Sequence, residues 1–375
     1  MTDFFPYGKQ SINEQDCEQV LAALKQPIIT RGELVHNFEE KLKATVGAEY
    51  CVVVNSGSTA LEAAYYAAQG RVNDKVLTTP NSFIASCGPG IRRGMTPCFV
   101  DIDRATGNMD LEKTLLNLDY ASSRGRLFVV PVHFGGIAMD MKPIREELRD
   151  PRAVIIEDAA HALGSKYPSG EKVGSCTYSD MTILSFHPVK NITTGEGGAI
   201  TTNDPELYKR LLDFRNNGIQ RTGQVWDYDV TAFTGNYNFT ELQAALGLSQ
   251  LERMEAFVDK RRALVKRYRE KLKGCDKIRL FTDKQDDITA FHLMVIQTQM
   301  DRTPFMEKLR EKGVGTQLHY LPLYRHTAVK EKVGDIAEYL PEMEAYAKTA
   351  LSIPLYYDLT LQDVDHIADL LQQSL

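Results

Sequence analysis

Residues 50–61 read Tyr50-Cys51-Val52-Val53-Val54-Asn55-Ser56-Gly57-Ser58-Thr59-Ala60-Leu61: an apolar, β-branched run, a turn of small polar residues, and the start of an alanine-rich pattern that continues to residue 69. A short apolar run bounded by turn residues reads as a buried strand, and the segment that follows has helical character. The same strand-then-helix grammar repeats outward from here. Further β-rich runs lie at 75–79, 97–101, 127–132, 153–157, 181–186 and 198–202, with helical stretches at 58–69, 82–92, 110–118 and 141–148 between several of them. Strands separated by helices predict an α/β fold with a mostly parallel central sheet covered by helices on both faces. The runs at 181–186 and 198–202 have no helix between them and read as a hairpin or an antiparallel edge.

Beyond residue 204 the texture changes. Helical patterns at 205–215, 241–251 and 258–272 are followed by a second α/β region, with a strand near 291–297, a helix near 304–312 and a terminal helix near 362–372. The expected organisation is a large domain over 1–250, including an N-terminal segment, and a smaller C-terminal α/β domain over 251–375. The polar and aromatic stretch 218–237 reads as a long loop, a kind of segment that is usually functional when it lies inside a domain.

The chain has 375 residues, 43% hydrophobic and 25% charged, which is ordinary globular composition with ample material for a core. Lysine plus arginine number 44 against 50 acidic residues, a net charge of −6 that gives no bulk attraction for nucleic acid. No apolar run approaches the ~18 residues of a membrane span. The opening residues lack the basic and apolar regions of a signal peptide. Six cysteines without a Cys-x-x-Cys pair read as reduced thiols, several of them in the core, and not as disulfides or a metal site. A cytoplasmic protein that binds neither membrane nor nucleic acid is the expectation. The Gly-x-Gly-x-x-Gly, Walker, His-Glu-x-x-His and Gly-x-Ser-x-Gly motifs are all missing, and the eight histidines show no metal-ligand spacing.

Four features remain, each just past the carboxyl end of a predicted strand, where open α/β sheets bind ligands. Asn55-Ser56-Gly57-Ser58-Thr59 leaves free backbone N–H groups and hydroxyls at a helix start, suited to a phosphate or simply to capping the helix. Glu157-Asp158 ends an apolar strand with two carboxylates, and unpaired buried charge is costly; a metal, a buried cation or a protonated ring nitrogen would each satisfy one. Lys190 follows Ser185-Phe186-His187-Pro188-Val189 and precedes Gly195-Glu196-Gly197-Gly198, so a rigid proline turn and a glycine cluster flank it. A lysine confined in that way loses solvation and becomes a usable nucleophile or base. Phe83, after Thr79-Pro80-Asn81-Ser82, can stack on a planar ligand or staple the next helix. A phosphate cradle, a carboxylate, an activated lysine and an aromatic plate are together what pyridoxal 5'-phosphate requires. A structural protein in which Lys190 and Asp158 form a buried ion pair is the contrasting expectation.

The sequence also resembles the DegT/DnrJ/EryC1/StrS sugar aminotransferases, fold type I pyridoxal-phosphate enzymes. The likeness runs from Ile29-Thr30-Arg31-Gly32 through Glu157-Asp158-Ala159-Ala160-His161, the Ser185–Lys190 segment and Glu241-Leu242-Gln243-Ala244-Ala245-Leu246-Gly247 to Gln317-Leu318-His319-Tyr320 and Pro322-Leu323-Tyr324. Within the family the chain is most similar to the group that aminates C4 of a UDP-linked 4-keto-6-deoxy-2-acetamido sugar in pseudaminic acid biosynthesis. The resemblance implies that Lys190 carries the Schiff base and that Asp158, kept ionised, pairs with the pyridinium nitrogen. It implies that Phe83 stacks on the ring, that His161 lies near the cofactor oxygen, and that Gly57, Ser58, Thr59 and Ser185 hold the phosphate. Asn236 would reach in from the second subunit of a homodimer. Tyr7, Thr30, Gln317, His319 and Tyr320 would contact the sugar nucleotide, and His133 is a further site candidate. Glutamate is the implied amino donor. The sequence departs from the family where Gly235-Asn236-Tyr237-Asn238 carries Asn238 in the place of an arginine; an amide has neither the charge nor the fork of a guanidinium. Other keto-sugar nucleotides, or a cofactor-binding regulator without turnover, are the alternative functions.

Overall fold

Seven of the apolar runs are strands of one sheet: β1 (Tyr50–Val54), β2 (Lys75–Thr78), β3 (Thr96–Phe99), β4 (Leu127–Val130), β5 (Val154–Asp158), β6 (Met181–Ser185) and β7 (Gly198–Thr202), in spatial order β1-β7-β6-β5-β4-β2-β3. This computed structural model describes residues 4–121, 125–224 and 226–375; the first three residues of the opening segment and residue 225 of the long loop lie outside it. The pairs β2–β3, β2–β4, β4–β5 and β5–β6 are parallel, so the sheet is mostly parallel, as expected. β7 is antiparallel to both neighbours, β6 and β1, and lies inside the sheet; the edge strand is β1.

Helices α1 (Glu14–Leu24), α2 (Glu33–Val46), α3 (Gly57–Ala67), α4 (Gly88–Arg92), α5 (Leu111–Leu116), α6 (Lys142–Glu147), α7 (Pro205–Arg215), α8 (Glu241–Glu252) and α9 (Met254–Leu272) surround the sheet or follow it. Alternation along the strands divides the core in two. Val53, Ile155 and Leu184 face one cluster with Val35, Phe38, Leu42 and Val46 of α2. Val52, Val54, Ile156 and Ile183 face the other with Ala60, Ala64 and Tyr65 of α3 and Leu211 and Phe214 of α7. The helix expected over 82–92 is instead a 3-10 turn, Ile84–Ser86, followed by α4, because Pro89 is tolerated only in a first turn and forces a new start. The long loop contains a short hairpin, β8 (Ile219–Arg221) and β9 (Tyr228–Val230). Sequence patterning missed α1 and α2, whose charged exposed faces dilute the apolar stripe.

A second sheet is antiparallel, in order β10 (Ile278–Leu280), β11 (Met294–Thr298), β12 (Ala350–Ile353), with α10 (Arg302–Glu311), α11 (Thr327–Val333), α12 (Pro341–Thr349) and α13 (Leu361–Ser374). Val364, Ile367, Ala368 and Leu371 of α13 pack with Leu264, Val265 and Tyr268 of α9 against it. Phe5 bridges to Val314, and the Leu355 N–H donates to the Tyr7 carbonyl, so the chain's first described residues are tied to this region. None of the described helices is long and apolar enough to cross a membrane. Cys51, Cys87 and Cys176 are buried free thiols.

Two sequence motifs far apart meet at a helix end. The Glu241 carboxylate, only 3% exposed, accepts the N–H groups of Gly32 (2.9 Å), Leu34 (3.0 Å) and Val35 (3.1 Å), closing the first turn of α2 from outside. A Cβ on Gly32 would lie 2.8 Å from this carboxylate, so position 32 needs glycine for space. Glu241→Ala leaves three donors without their acceptor and is expected to lower stability by about 2–4 kcal/mol, read as a drop in denaturation midpoint at unchanged denaturant slope.

Candidate active site

The carboxyl ends of β1, β5 and β6 open into a cavity of about 810 Å3, toward the upper end of the roughly 300–1,000 Å3 usual for small-molecule sites. Lys190, Asp158, the 55–59 turn, Phe83 and Ser185 all line it, as do His161, His319, Tyr320 and Tyr7. The four features singled out in the sequence thus share one wall.

Lys190 is delivered by the turn after β6, where its N–H donates to the His187 carbonyl at 2.8 Å. Phe186, between the strand and this turn, is locked in the core against Phe38. Burial of the amine lowers its pKa to about 8, with the nearby Asp158 charge acting in the opposite sense. A measurable fraction of the amine is therefore free base at neutral pH. Its Nζ lies 3.4 Å from Nε2 of His292, a cavity residue that carried no sequence signal beyond being a lone histidine before a strand.

The two carboxylates at the end of β5 separate by strand alternation. Asp158 turns into the cavity, where Oδ2 accepts Ser86 Oγ–H at 2.6 Å and Oδ1 accepts the Ala160 N–H at 3.2 Å. Ser86, in turn, is held by Ser82 Oγ at 2.5 Å and, through its carbonyl, by the Tyr65 hydroxyl at 2.7 Å. Burial raises the Asp158 pKa despite these donors and Lys190. A cation brought against this carboxylate would oppose that rise and favour the ionised form. Glu157 points to the opposite face, completely buried, and takes hydrogen bonds from Tyr167 and Thr182 and shares one of 2.7 Å with His133 Nε2. Burial opposes its ionisation, but His133 and the Ser179 and Tyr167 hydroxyls hold its pKa below the ordinary value. His133 Nδ1 accepts the Met139 N–H, which places the ring proton on Nε2. His133, a site candidate in the sequence, is therefore a core partner of Glu157 and does not line the cavity, because it faces the side of the sheet away from Asp158.

The phosphate-type turn is built from small residues under close approach. Ser56 caps α3 by accepting the Thr59 N–H, and Thr59 Oγ1 donates to Asn55 at 2.8 Å. The N–H groups of Gly57 and Ser58, in the first turn, have no intrahelical carbonyl and point out of the helix start. A Cβ on Gly57 would stand 2.8 Å from Ser185 Cβ, and one on Gly198 would stand 2.4 Å from the Ser56 carbonyl oxygen. Gly57, Ser58, Thr59 and Ser185 are thus pressed into one cradle where any larger residue would fill the space.

Phe83, 57% exposed, presents its ring on the cavity wall. His161 Nδ1 accepts the Gly135 N–H and its Nε2 lies 3.2 Å from the Tyr320 hydroxyl. His319 bonds Ser352 at 2.8 Å and packs on Tyr7, with ring centroids 5.3 Å apart. Burial and the Lys190 charge lower the pKa of the buried cavity histidines 161, 292 and 319, the last to about 3; His187 also lines the cavity but is exposed. Three candidates stand elsewhere within the single chain: Thr30 bridges Thr240, Gln317 pairs with Ser352, and Asn236 bridges Asn216, each exposed and none lining the cavity.

At Asn238, where the family pattern has arginine, Nδ2 donates to Asn236 Oδ1 at 2.7 Å and to Asn216 Oδ1 at 3.4 Å. The same Asn216 oxygen accepts Arg31 Nη1 at 3.0 Å. A guanidinium therefore stands in this cluster, brought by residue 31.

These groups fit pyridoxal phosphate on their own geometry. The cradle offers unpaired helix-start N–H groups and hydroxyls to a phosphate, the buried Asp158 has acceptor capacity left for a ring N–H, and a partly deprotonated lysine stands in the same cavity. Among the described residues, no cluster of three His, Cys, Asp or Glu side chains is disposed around a metal position.

Comparison with known proteins agrees with this chemistry. The model of the DegT/DnrJ/EryC1/StrS aminotransferase family matches residues 10–372. The UDP-4-amino-4,6-dideoxy-N-acetyl-beta-L-altrosamine transaminase of Campylobacter jejuni is 34% identical over 370 residues, covering 97% of this chain and 96% of that protein. Among solved structures, PseC of Helicobacter pylori, an aminotransferase of pseudaminic acid biosynthesis, superposes with TM-score 0.91 at 27% identity over 99% of each chain. The PLP form of the putative sugar aminotransferase Spr1654 of Streptococcus pneumoniae has TM-score 0.90 at 28% identity, over 99% of this chain and 98% of that one.

Proposed function

Because this chain belongs to the DegT/DnrJ/EryC1/StrS aminotransferase family, and is thus a pyridoxal-phosphate-dependent sugar aminotransferase, we propose that it transfers the amino group of glutamate to C4 of a UDP-linked 4-keto-6-deoxy-2-acetamido sugar. The observation that carries the reading is the meeting of Lys190, Asp158 and the 57–59 cradle in one large cavity. The named relatives in Campylobacter jejuni and Helicobacter pylori support the sugar class.

Bound pyridoxal phosphate supplies an electron sink for the pair left when a Cα–H bond breaks. The chain's own residues do the rest. Gly57, Ser58, Thr59 and Ser185 would hold the phosphate, Phe83 would lie against the ring, and Asp158 would favour positive charge at the ring nitrogen. Lys190 Nζ, with its lowered pKa, takes the proton from the donor's Cα and returns one on the other side of the exchange. His161, held by Gly135 and Tyr320, would meet the cofactor oxygen in this reading. Tyr7, His319 and Tyr320 line the remaining wall, where the sugar binds. In sum, glutamate and the keto sugar become 2-oxoglutarate and the amino sugar.

The working unit in this reading is a homodimer. Among the described residues that line the cavity, Lys190 is the one Lys or Arg, and burial holds His161, His292 and His319 neutral, yet both substrates carry multiple negative charges. A second copy would bring Asn236 and, in the same cluster, Arg31, and would cover the exposed side chains Trp226, Tyr228 and Phe233. Arg31→Ala is expected to raise the KM for glutamate roughly tenfold or more, the loss of one charge-assisted hydrogen bond, with a smaller change in kcat. Adding Asn238→Arg to that variant should recover much of the affinity. An unchanged KM in Arg31→Ala would remove residue 31 from the site.

The function is tested by 2-oxoglutarate release from glutamate with a panel of UDP-, dTDP- and GDP-linked 4-keto sugars. Turnover with the UDP-linked acetamido sugar supports the reading. Turnover confined to another nucleotide corrects the substrate, and no turnover with any of them favours a regulator.

A further inference from the structure

The loop before β11 is fastened more firmly than its exposed neighbours require. Arg261, 3% exposed and on α9, gives one nitrogen to three carbonyls: Phe291 at 3.2 Å, His292 at 3.3 Å and Leu355 at 3.1 Å. The N–H groups of His292 and Leu293 both donate to the Gly135 carbonyl. Phe291 is held at φ +44°, a left-handed conformation that an aromatic residue adopts only when its surroundings impose it. The residue after Lys190 joins the same fastening, since Asn191 Nδ2 donates to the Ala290 carbonyl at 3.3 Å. Two loops 102 positions apart in the chain are thus stitched together where Lys190 and His292 face each other.

The His292 ring is 3% exposed, with Nε2 3.4 Å from Lys190 Nζ and Nδ1 buried without a partner. His161 lies against it, ring centroids 4.4 Å apart, but the two His161 nitrogens are taken by Gly135 and Tyr320. Burial most of all, and then Lys190, His161, Arg261 and His319, disfavour the imidazolium of His292; the carboxylates that line the same cavity are Asp158, which acts on Lys190, and Glu196. A neutral imidazole in these surroundings has one lone pair to offer, and the group placed to use it is the lysine amine.

We propose that His292 is a positioning residue for Lys190: Nε2 accepts a hydrogen bond from the lysine amine whenever that amine is free, and so keeps it at the cavity wall between its two proton transfers. The inference rests on the reading of Lys190 as the reactive lysine and adds a partner to it. An acceptor at this point favours the ammonium form, opposing the desolvation that favours the free base.

The test uses His292→Phe, which keeps a ring without an acceptor, and His292→Gln, which keeps a polar acceptor. Lys190 in the cofactor-free proteins is labelled by reductive methylation across a pH series and quantified by peptide mass spectrometry. The midpoint for His292→Phe is expected to fall by roughly one pH unit, a tenfold change in the ammonium-to-amine ratio, with His292→Gln nearer to the wild type. In the loaded enzymes the acidic limb of the glutamate half-reaction should move the same way. If phenylalanine prevents folding, His292→Leu is read in its place. A labelling midpoint unchanged in the acceptor-free variant overturns the proposal. Borohydride trapping of the cofactor on the wild type is the separate arm: attachment at a lysine other than Lys190 overturns the reading of Lys190 itself, whatever the His292 variants do.

Discussion

Lys190→Ala is expected to abolish transamination, with a fall in kcat of at least roughly 10²–10⁴-fold from loss of the proton-transfer group alone, and to remove the visible absorbance of lysine-bound cofactor. The cradle formed by Gly57, Ser58, Thr59 and Ser185 does not include the lysine. The variant should therefore still retain pyridoxal phosphate, and loss of activity with retained cofactor is the diagnostic combination. The wild-type amine also predicts a pH dependence. With its pKa lowered to about 8, the nucleophilic free base is scarce below that pH and predominant above it. Uptake of pyridoxal phosphate by the cofactor-free protein should accelerate as pH rises and level off above about 8, followed by the growth of visible absorbance. Lys190→Arg, charged at every accessible pH, should show no such growth. Wild-type turnover in Lys190→Ala would refute the assignment.

The second large effect separates two adjacent carboxylates. Asp158→Asn keeps the shape and one of the two acceptors that Ser86 and Ala160 use, but removes the negative charge from the cavity, and is expected to lower kcat by roughly 10²–10³-fold with a smaller change in denaturation midpoint. Glu157→Gln should do the reverse. Its carboxylate is completely buried among His133, Tyr167 and Thr182, on the face of the sheet away from the cavity. An amide there cannot accept from every one of those donors, so stability should fall by about 1–3 kcal/mol while the kcat of the folded enzyme is retained. Paired measurement of kcat and thermal midpoint in both variants decides the matter. Equal loss of kcat in both would mean that strand alternation does not divide their roles.

Most of the large sheet was legible before any coordinates, and for a physical reason. Strands buried on both faces are read from near-continuous apolar runs, and residues 127–130 form one. The terminal residues also announced themselves, because a carboxylate, a serine-glycine turn and a lysine at strand ends have no apolar explanation. What patterning misjudged was local. Pro89 divided a helix that hydrophobicity alone would have continued, and a three-residue hairpin hid in the polar stretch after Gly218 because strands so short and exposed carry no alternation signal.

Taken alone, the order of residues determined the α/β class, the presence of a phosphate-type turn, a carboxylate and a confined lysine, and a departure at Asn238. These are consequences of composition over a few neighbouring positions, where burial and turn geometry act locally. Only the tertiary structure decided which carboxylate faces the cavity, that His133 belongs to the core, that Ser86 holds Asp158 across 72 positions, and that His292 meets Lys190 across 102. Contacts of that kind depend on how distant loops are fastened, as Arg261 fastens Phe291 and His292, and no periodicity within a single segment records them.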